Sequence, residues 1–248
     1  SSISSGYGRI GRICPIIHER VYKLALSRRK DAKKNWGKFK WDVIKKHELV
    51  SLDAAPYGLI YDNFSARIYP SKACHSLAQA CRLNHVEFRE NTKVTDFDSN
   101  TIYGEWGKET ASSIIIASGY EGFDFIKSYF PITIGSGVKG QAALIDIDLR
   151  DMPQIYANGI YIVPHSDGTT TIGSTSERNW LEPYNTDYQL HELIKRAEDI
   201  CPTIENAKLI KKWAGIRPKA RRREPLIGKI PRSDSIYLAM GGFKIGFG

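Results

Sequence analysis

The chain has 248 residues, 42% of them hydrophobic and 25% charged, with a formal net charge of +9. That is enough chain for one large domain or two small ones with an ample core, and the composition is that of an ordinary globular protein. No apolar run is long enough to cross a bilayer as a helix. The four cysteines, Cys14, Cys74, Cys81 and Cys201, have no CxxC spacing, which favours a reducing compartment and a cytoplasmic location.

In chain order, Ile17, Val21, Leu24, Ala25, Ala32 and Trp36 recur at helical spacing, predicting a long helix from about His18 to Phe39 with a very basic outer face. Glu48 to Tyr61 reads as short strands broken at Pro56-Tyr57-Gly58. Ser71 to Asn84 is an amphipathic helix with Ser71 as its N-cap, placing Cys74 and Cys81 on one apolar face as buried free thiols. Glu87 to Trp106 alternates as a hairpin turning at Asp98-Ser99-Asn100, and Ile114 to Ala117 is a continuous apolar run of the fully buried, parallel-sheet kind. Ala142 to Thr175 reads as antiparallel strands, and Asp187 to Ile200 as a second long helix ended by Cys201-Pro202. The last strands are Leu209 to Ile216 and Ile236 to Met240. The mixture predicts α/β plus α+β architecture in two interleaved lobes.

Two stretches match G-x-G-x-x-G: Gly6 to Gly11 and Gly135 to Gly140. A dinucleotide fingerprint works only between a buried strand and a helix whose N-terminus faces the pyrophosphate. The first match follows polar serines and runs into Arg12 and Pro15, and the second leads into the strand pattern Gln141 to Ile147, so neither qualifies.

Near the C-terminus the chain reads Trp213-Ala214-Gly215-Ile216-Arg217-Pro218, then Pro225-Leu226-Ile227-Gly228, then Tyr237 to Gly246. This sets one cation, Arg217, just after an apolar strand, where a guanidinium can hold a carboxylate through two parallel hydrogen bonds; a surface arginine at a strand end is the alternative. With Ser112 to Gly119, Val138-Lys139-Gly140-Gln141 as a turn before further strands, and the hairpin Ile160 to His165 with Asp167-Gly168 and Ile172 to Thr175, the run resembles the FAD-dependent D-amino acid oxidase superfamily, nearest its glycine oxidase and sarcosine oxidase branches.

The resemblance implies a Rossmann-like FAD-binding lobe (1–13, 64–135 and 215–248) interleaved with an antiparallel-sheet substrate lobe (14–63 and 136–214). It implies a strand-glycine-helix unit upstream of Ser1, without which these residues alone are not expected to hold FAD tightly. Ser1, Ser2, Ser5, Gly6 and Gly8 resemble a cofactor-touching segment, Val94 the backbone that meets the adenine, and Ala117 and Gly119 the residues under the flavin. Gly241, Gly242, Phe243, Lys244, Ile245 and Gly246 resemble the loop at the isoalloxazine carbonyl edge. An ordinary turn is the alternative for each glycine, and an ordinary strand residue for Val94. Arg217 and Tyr161 resemble a carboxylate-binding pair, with a half-buried strand aromatic as the alternative for Tyr161. Lys244 would place positive charge near the flavin. With no cysteine after Trp213, FAD is expected to be non-covalent. Arg221-Arg222-Arg223 stands where relatives carry a short acidic turn, and His165 reads as a solvent-facing hairpin residue.

The activity so implied is hydride transfer from a small amino acid or amine to flavin, oxidising its C–N bond, with oxygen as a possible electron acceptor and no membrane partner. Two alternatives stand beside it: the same chemistry on a modified base in tRNA, and a non-catalytic RNA-binding or scaffold module that has lost its cofactor. The basic clusters motivate the first, and the missing strand-glycine-helix unit with the insert Arg221-Arg222-Arg223 favours the second.

Overall fold

The computed structural model describes residues 4–222 and 224–243. Along the chain run β1 (Gly8–Arg9), β2 (Arg12–Pro15), α1 (Glu19–Asn35), β3 (Trp41–Ile44), β4 (Leu59–Asp62), β5 (Ala66–Arg67) and α2 (Pro70–Leu83). Then come β6 (Asp96–Asp98), β7 (Thr101–Gly104), β8 (Gly107–Thr110), β9 (Ile114–Ile116), α3 (Gly122–Phe125) and β10 (Gly135–Asp146). The chain continues through β11 (Gln154–Ala157), β12 (Ile160–Pro164), β13 (Thr170–Gly173), α4 (Tyr188–Ile200), β14 (Lys208–Ala220), β15 (Leu226–Lys229) and β16 (Ile236–Met240). The expected mixed α/β and α+β class is observed.

Two compact units are discontinuous in sequence: Ser1–Val86 with Gln141–Thr175 and Asn185–Ala214, and Glu87–Gly140 with Ser176–Tyr184 and Gly215–Gly248. In the first, an eight-stranded sheet runs β14-β10-β13-β12-β11-β2-β4-β3. Alternation along each strand sends Ile13, Leu59, Ile155, Ile160, Ile162, Ile172, Ala143 and Ile145 into one core. α4 covers that face with Leu190, Leu193 and Ala197. Its N-cap is Asp187, which accepts from the Gln189 amide at 2.9 Å and from the buried Gln141 side chain at 2.8 Å. β11 and β12 are joined by Asn158-Gly159, both at positive φ (49° and 86°), the two-residue turn that matches strand twist. That turn sets Tyr156 opposite Tyr161.

In the second unit, β9 and β16 are parallel and β15 is antiparallel to β16, while β6-β7-β8 form a meander turning at residues 99 and 100. Phe97, Ile116, Phe123, Ile126, Ile230, Ile236, Leu238 and Met240 make its core.

Several expectations change. Ser71 does not cap α2: Tyr69 holds the cap position, without a side-chain bond, and Pro70 opens the helix because its missing N–H costs nothing there. Cys74 and Cys81 are exposed, since α2 buries only Ala73. On α1 the small Ala25 and Ala32 are buried while Val21, Leu24 and Trp36 remain exposed. Only β4 forms between Glu48 and Tyr61, and the hairpin expected over Glu87 to Trp106 is confined to β6 and β7. β9 pairs in parallel as expected, but Ile115 is 66% exposed, so one face of that strand is uncovered in this structure. Val138 to Gln141 is not a turn but lies inside β10, and the strand expected to end at Ile216 continues through Arg217 and Pro218 to Ala220. β14 stands at the sheet edge, where a proline costs no ladder bond. Gly8 and Gly11 lie at β1 and its turn into β2, and Gly135 to Gly140 lies within β10, so neither glycine motif opens a helix.

Candidate functional site

In open α/β sheets ligands gather at the carboxyl ends of parallel strands, where the chain leaves the sheet and its backbone groups are no longer spent on the ladder. The parallel pair β9 and β16 brings two such exits together, with Ile116 opposite Leu238. After β9, Ala117 is exposed and Gly119 sits in a turn at φ 66°. A Cβ added at Gly119 would meet no atom of the described residues within 4 Å. Positive φ and bare space leave this backbone open to close approach by a flat ligand, which is the fit a flavin requires. Ser118 and Met240 both lie against Gly122, tying the loop to the end of β16.

After β16, Gly241 packs on Ala220, where a Cβ would come within 2.9 Å of that methyl. Gly242 bridges to Lys219, and the Phe243 amide donates to the Gly241 carbonyl at 2.8 Å. The end of β14 is thereby laid along the loop 241–243. Its Arg217 places its guanidinium carbon 5.2 Å from the centre of the Phe243 ring. Arg217 also donates to the Lys139 carbonyl at 3.4 Å.

Beneath this arginine is a buried ion pair that the sequence reading missed. Lys139 and Glu177 are 2% and 7% exposed, with Nζ and Oε2 3.7 Å apart. Their backbones exchange two hydrogen bonds of 2.9 Å. Burial pushes the Arg217 pKa down, and the Glu177 carboxylate acts against that shift. Thirty-eight residues of sequence separate Lys139 from Glu177, and no local pattern announces their meeting.

Tyr161 lies on the face of the eight-stranded sheet opposite the α4 core. Its ring centre is 4.5 Å from that of Tyr156, and it is 43% exposed. Burial and Tyr156 raise its pKa while Arg12 lowers it, so at neutral pH the phenol keeps its proton as a donor. Arg12 is held 3.5 Å from the buried Asp62. Tyr156 was legible in principle: the Asn158-Gly159 turn dictates its register with Tyr161.

Of the other expected site residues, Gly6 and Gly8 are packing positions. A Cβ at Gly6 would meet Tyr69 at 2.7 Å, and one at Gly8 would meet Arg67 at 3.3 Å. The Ser5 hydroxyl accepts from the Tyr7 amide at 3.3 Å. Val94 is half-buried in an extended segment before β6. Ser1, Ser2, Lys244, Ile245 and Gly246 lie outside the described residues. His165 does not face solvent. It is 3% exposed, stacked 4.2 Å from Tyr69, with Nε2 2.7 Å from the Thr171 hydroxyl.

Residues 11–248 match the family model described as FAD dependent oxidoreductase. Glycine oxidase of Bacillus subtilis is 28% identical over 213 residues, covering 84% of this chain and 57% of that protein. Glycine oxidase of Pseudomonas putida is 27% identical over 170 residues, covering 66% and 47%. The chain thus spans about half the length of the curated relatives it matches. Among solved structures, glycine oxidase from Geobacillus kaustophilus superposes with a TM-score of 0.86 at 22% identity, covering 98% of this chain and 68% of that one. L-proline dehydrogenase from P. horikoshii gives 0.81 at 17% identity, covering 97% and 69%. With a matched family model over nearly its whole length, the chain belongs to the FAD-dependent oxidoreductases of the D-amino acid oxidase family.

Proposed function

We propose that the protein oxidises the C–N bond of a small amino acid or amine, with FAD held non-covalently. The observation that carries the reading is the seating of Arg217 beside the loop 241–243, which brings a fixed cation to the loop expected to border the flavin. The bare turn at Gly119, on the neighbouring strand exit, supports the same placement of the ring system.

In this reading Arg217 takes the substrate carboxylate in charge-assisted hydrogen bonds, strengthened because the guanidinium is partly out of water. Holding the carboxylate fixes the Cα–H relative to the ring, and orientation is the larger share of what such a site contributes. Tyr161 adds a neutral phenolic donor to the carboxylate. Lys244 supplies positive charge near the reduced cofactor. When bound, FAD would supply the acceptor for the hydride and its two electrons, with oxygen as the final acceptor in this reading. The amine nitrogen loses its proton, and the resulting imine is hydrolysed by water to a keto acid and ammonia, or a primary amine if the substrate was secondary. The two-lobe division, with 1–13, 64–135 and 215–248 around the cofactor and 14–63 and 136–214 around the substrate, belongs to this proposal.

The test uses the full-length, flavin-loaded enzyme. Arg217→Ala should raise KM for a carboxylated amine by about ten- to a hundredfold, the loss of one charge-assisted pair, while flavin stays bound. It should leave turnover of an amine without a carboxylate nearly unchanged. Unaltered KM for the carboxylated substrate overturns the assignment. Flavin that remains attached to acid-precipitated protein overturns the non-covalent part.

A further inference from the structure

Helix α1 carries more positive charge than its own stability explains. Among its 17 residues are Arg20, Lys23, Arg28, Arg29, Lys30, Lys33 and Lys34, against Glu19 and Asp31. Glu19 holds Lys23 at 2.8 Å, and Asp42 of β3 holds Arg29 at 2.6 Å. Arg20, Arg28, Lys30, Lys33 and Lys34 are exposed and make no ion pair among the described residues. Lys33 and Lys34 sit in the last turn, where the helix dipole favours cations, but Arg20 sits in the first turn, where it opposes them. Lys30 stands one turn from both Lys33 and Lys34, a like-charge spacing that weakens a helix.

The geometry lines four of the helix's cations up. Successive residues advance by about 100°, so with Ala25 and Ala32 buried the opposite side carries Arg20, Lys23, Lys30 and Lys34. Arg20 to Lys34 spans about 21 Å at the helical rise of about 1.5 Å per residue. Beyond the helix the positive run continues through Lys38, which lies against the ring of Phe39, as does Arg9.

We propose that this ridge binds the phosphate backbone of a nucleic-acid strand. A line of cations with no apolar residue among them suits a repeating polyanion, whose contacts are electrostatic and independent of sequence. A membrane surface is held by an inserting apolar helix face, and the exposed apolar residues of α1, Val21, Leu24 and Leu26, lie off the ridge rather than along it. Nor does the ridge suit a protein partner, whose interface core is poor in lysine and built on apolar or aromatic anchors. The inference stands apart from the flavin reading, since it uses none of the residues assigned there.

The experiment measures binding of a fluorescein-labelled 20-nucleotide oligouridylate to the full-length protein across salt concentrations. Four phosphate contacts on a single strand, one for each cation of the ridge, give a log–log salt slope of about −2.8, so affinity should fall roughly fiftyfold between 50 and 200 mM salt. Replacing Arg20, Lys23, Lys30 and Lys34 with glutamine should abolish most of that slope and affinity, with the circular dichroism spectrum and flavin content unchanged. The wild-type slope tests the idea even if that variant folds poorly. A slope shallower than about −1 overturns the proposal. So does equal competition by polyglutamate, binding only to phosphatidylserine vesicles, or equal binding by the glutamine variant.

Discussion

Each unit contains an arginine drawn well out of water, and the two are held in different ways. Arg67 in the first unit is 9% exposed and donates through Nη1 to the Arg150 carbonyl at 2.6 Å and to the Pro164 carbonyl at 3.0 Å. Arg217 in the second donates to the Lys139 carbonyl at 3.4 Å and lies against the Phe243 ring, beside the buried pair of Lys139 and Glu177. Burial lowers the pKa of both. Short bonds to two main-chain carbonyls make Arg67 a strut between the hairpin β12-β13 and the segment after β10. Arg217 instead lies against an aromatic ring and near a carboxylate, the setting proposed above for a ligand anchor. A charge drawn out of water is therefore not in itself a sign of a site.

The sharpest way to break this contrast is Arg67→Met. It removes two charge-assisted bonds and leaves both carbonyls buried, so the protein should lose about 3 kcal/mol of stability in urea unfolding. Arg217→Met, at the proposed ligand anchor, should cost less than Arg67→Met in the same measurement. Similar losses for the two would erase the distinction. Next in size, Glu177→Gln strips the counter-charge from Lys139 in a dry setting and should cost about 2 kcal/mol of stability. By lowering the electrostatic support of Arg217 it should also raise KM for a carboxylated substrate without changing KM for an uncharged amine. A stability loss with no difference between the two substrates would make the pair purely structural.

Gly119→Ala tests the open turn. The left-handed backbone should cost about 1 kcal/mol, and the added methyl should weaken flavin retention, read as faster release on dilution. Retention as in the wild type would remove Gly119 from the cofactor surface. The smallest effect concerns the strut's surroundings. Burial depresses the His165 pKa, with Asp167 opposing and Arg67 and Lys72 reinforcing that shift. A histidine depressed in the folded state costs nothing above the unfolded value near 6.5 and destabilises as pH falls below it. His165→Gln should flatten the stability curve just below that pH. Asp167, which burial would raise, is instead held down at about 2 by Lys72 and Thr169. Its contribution persists above about 3.8 and disappears as pH falls toward 2, so the two windows separate. An unchanged slope between pH 6.5 and 4.5 in the histidine variant would show that His165 is not the titrating group.

The long periodic elements were legible without coordinates, because a helix or hairpin is specified by its own spacing. α4 falls within one residue of its expected bounds, α1 starts where expected but ends four residues early at Asn35, and β12-β13 forms the expected hairpin. Both glycine motifs could be set aside because their flanks lacked the strand and helix a dinucleotide needs. Arg217 and the glycines after β16 were singled out by order along the chain, yet that order cannot say that β14 runs on through Pro218 to lay Arg217 beside Phe243.

What the sequence determined, then, is which residues share a face and which segments carry the family's pattern. What only the tertiary structure decided is which faces are covered and which distant charges meet. His165 is buried because Tyr69, nearly a hundred residues earlier, stacks on it, whereas Cys74 and Cys81 are exposed because no segment among the described residues covers their side of α2. Lys139 and Glu177 meet through a backbone bridge between segments 38 residues apart. Periodicity is a property of neighbours along the chain, while desolvation and Coulomb energy depend on neighbours in space, and those are set only when the strands take their order in the sheet.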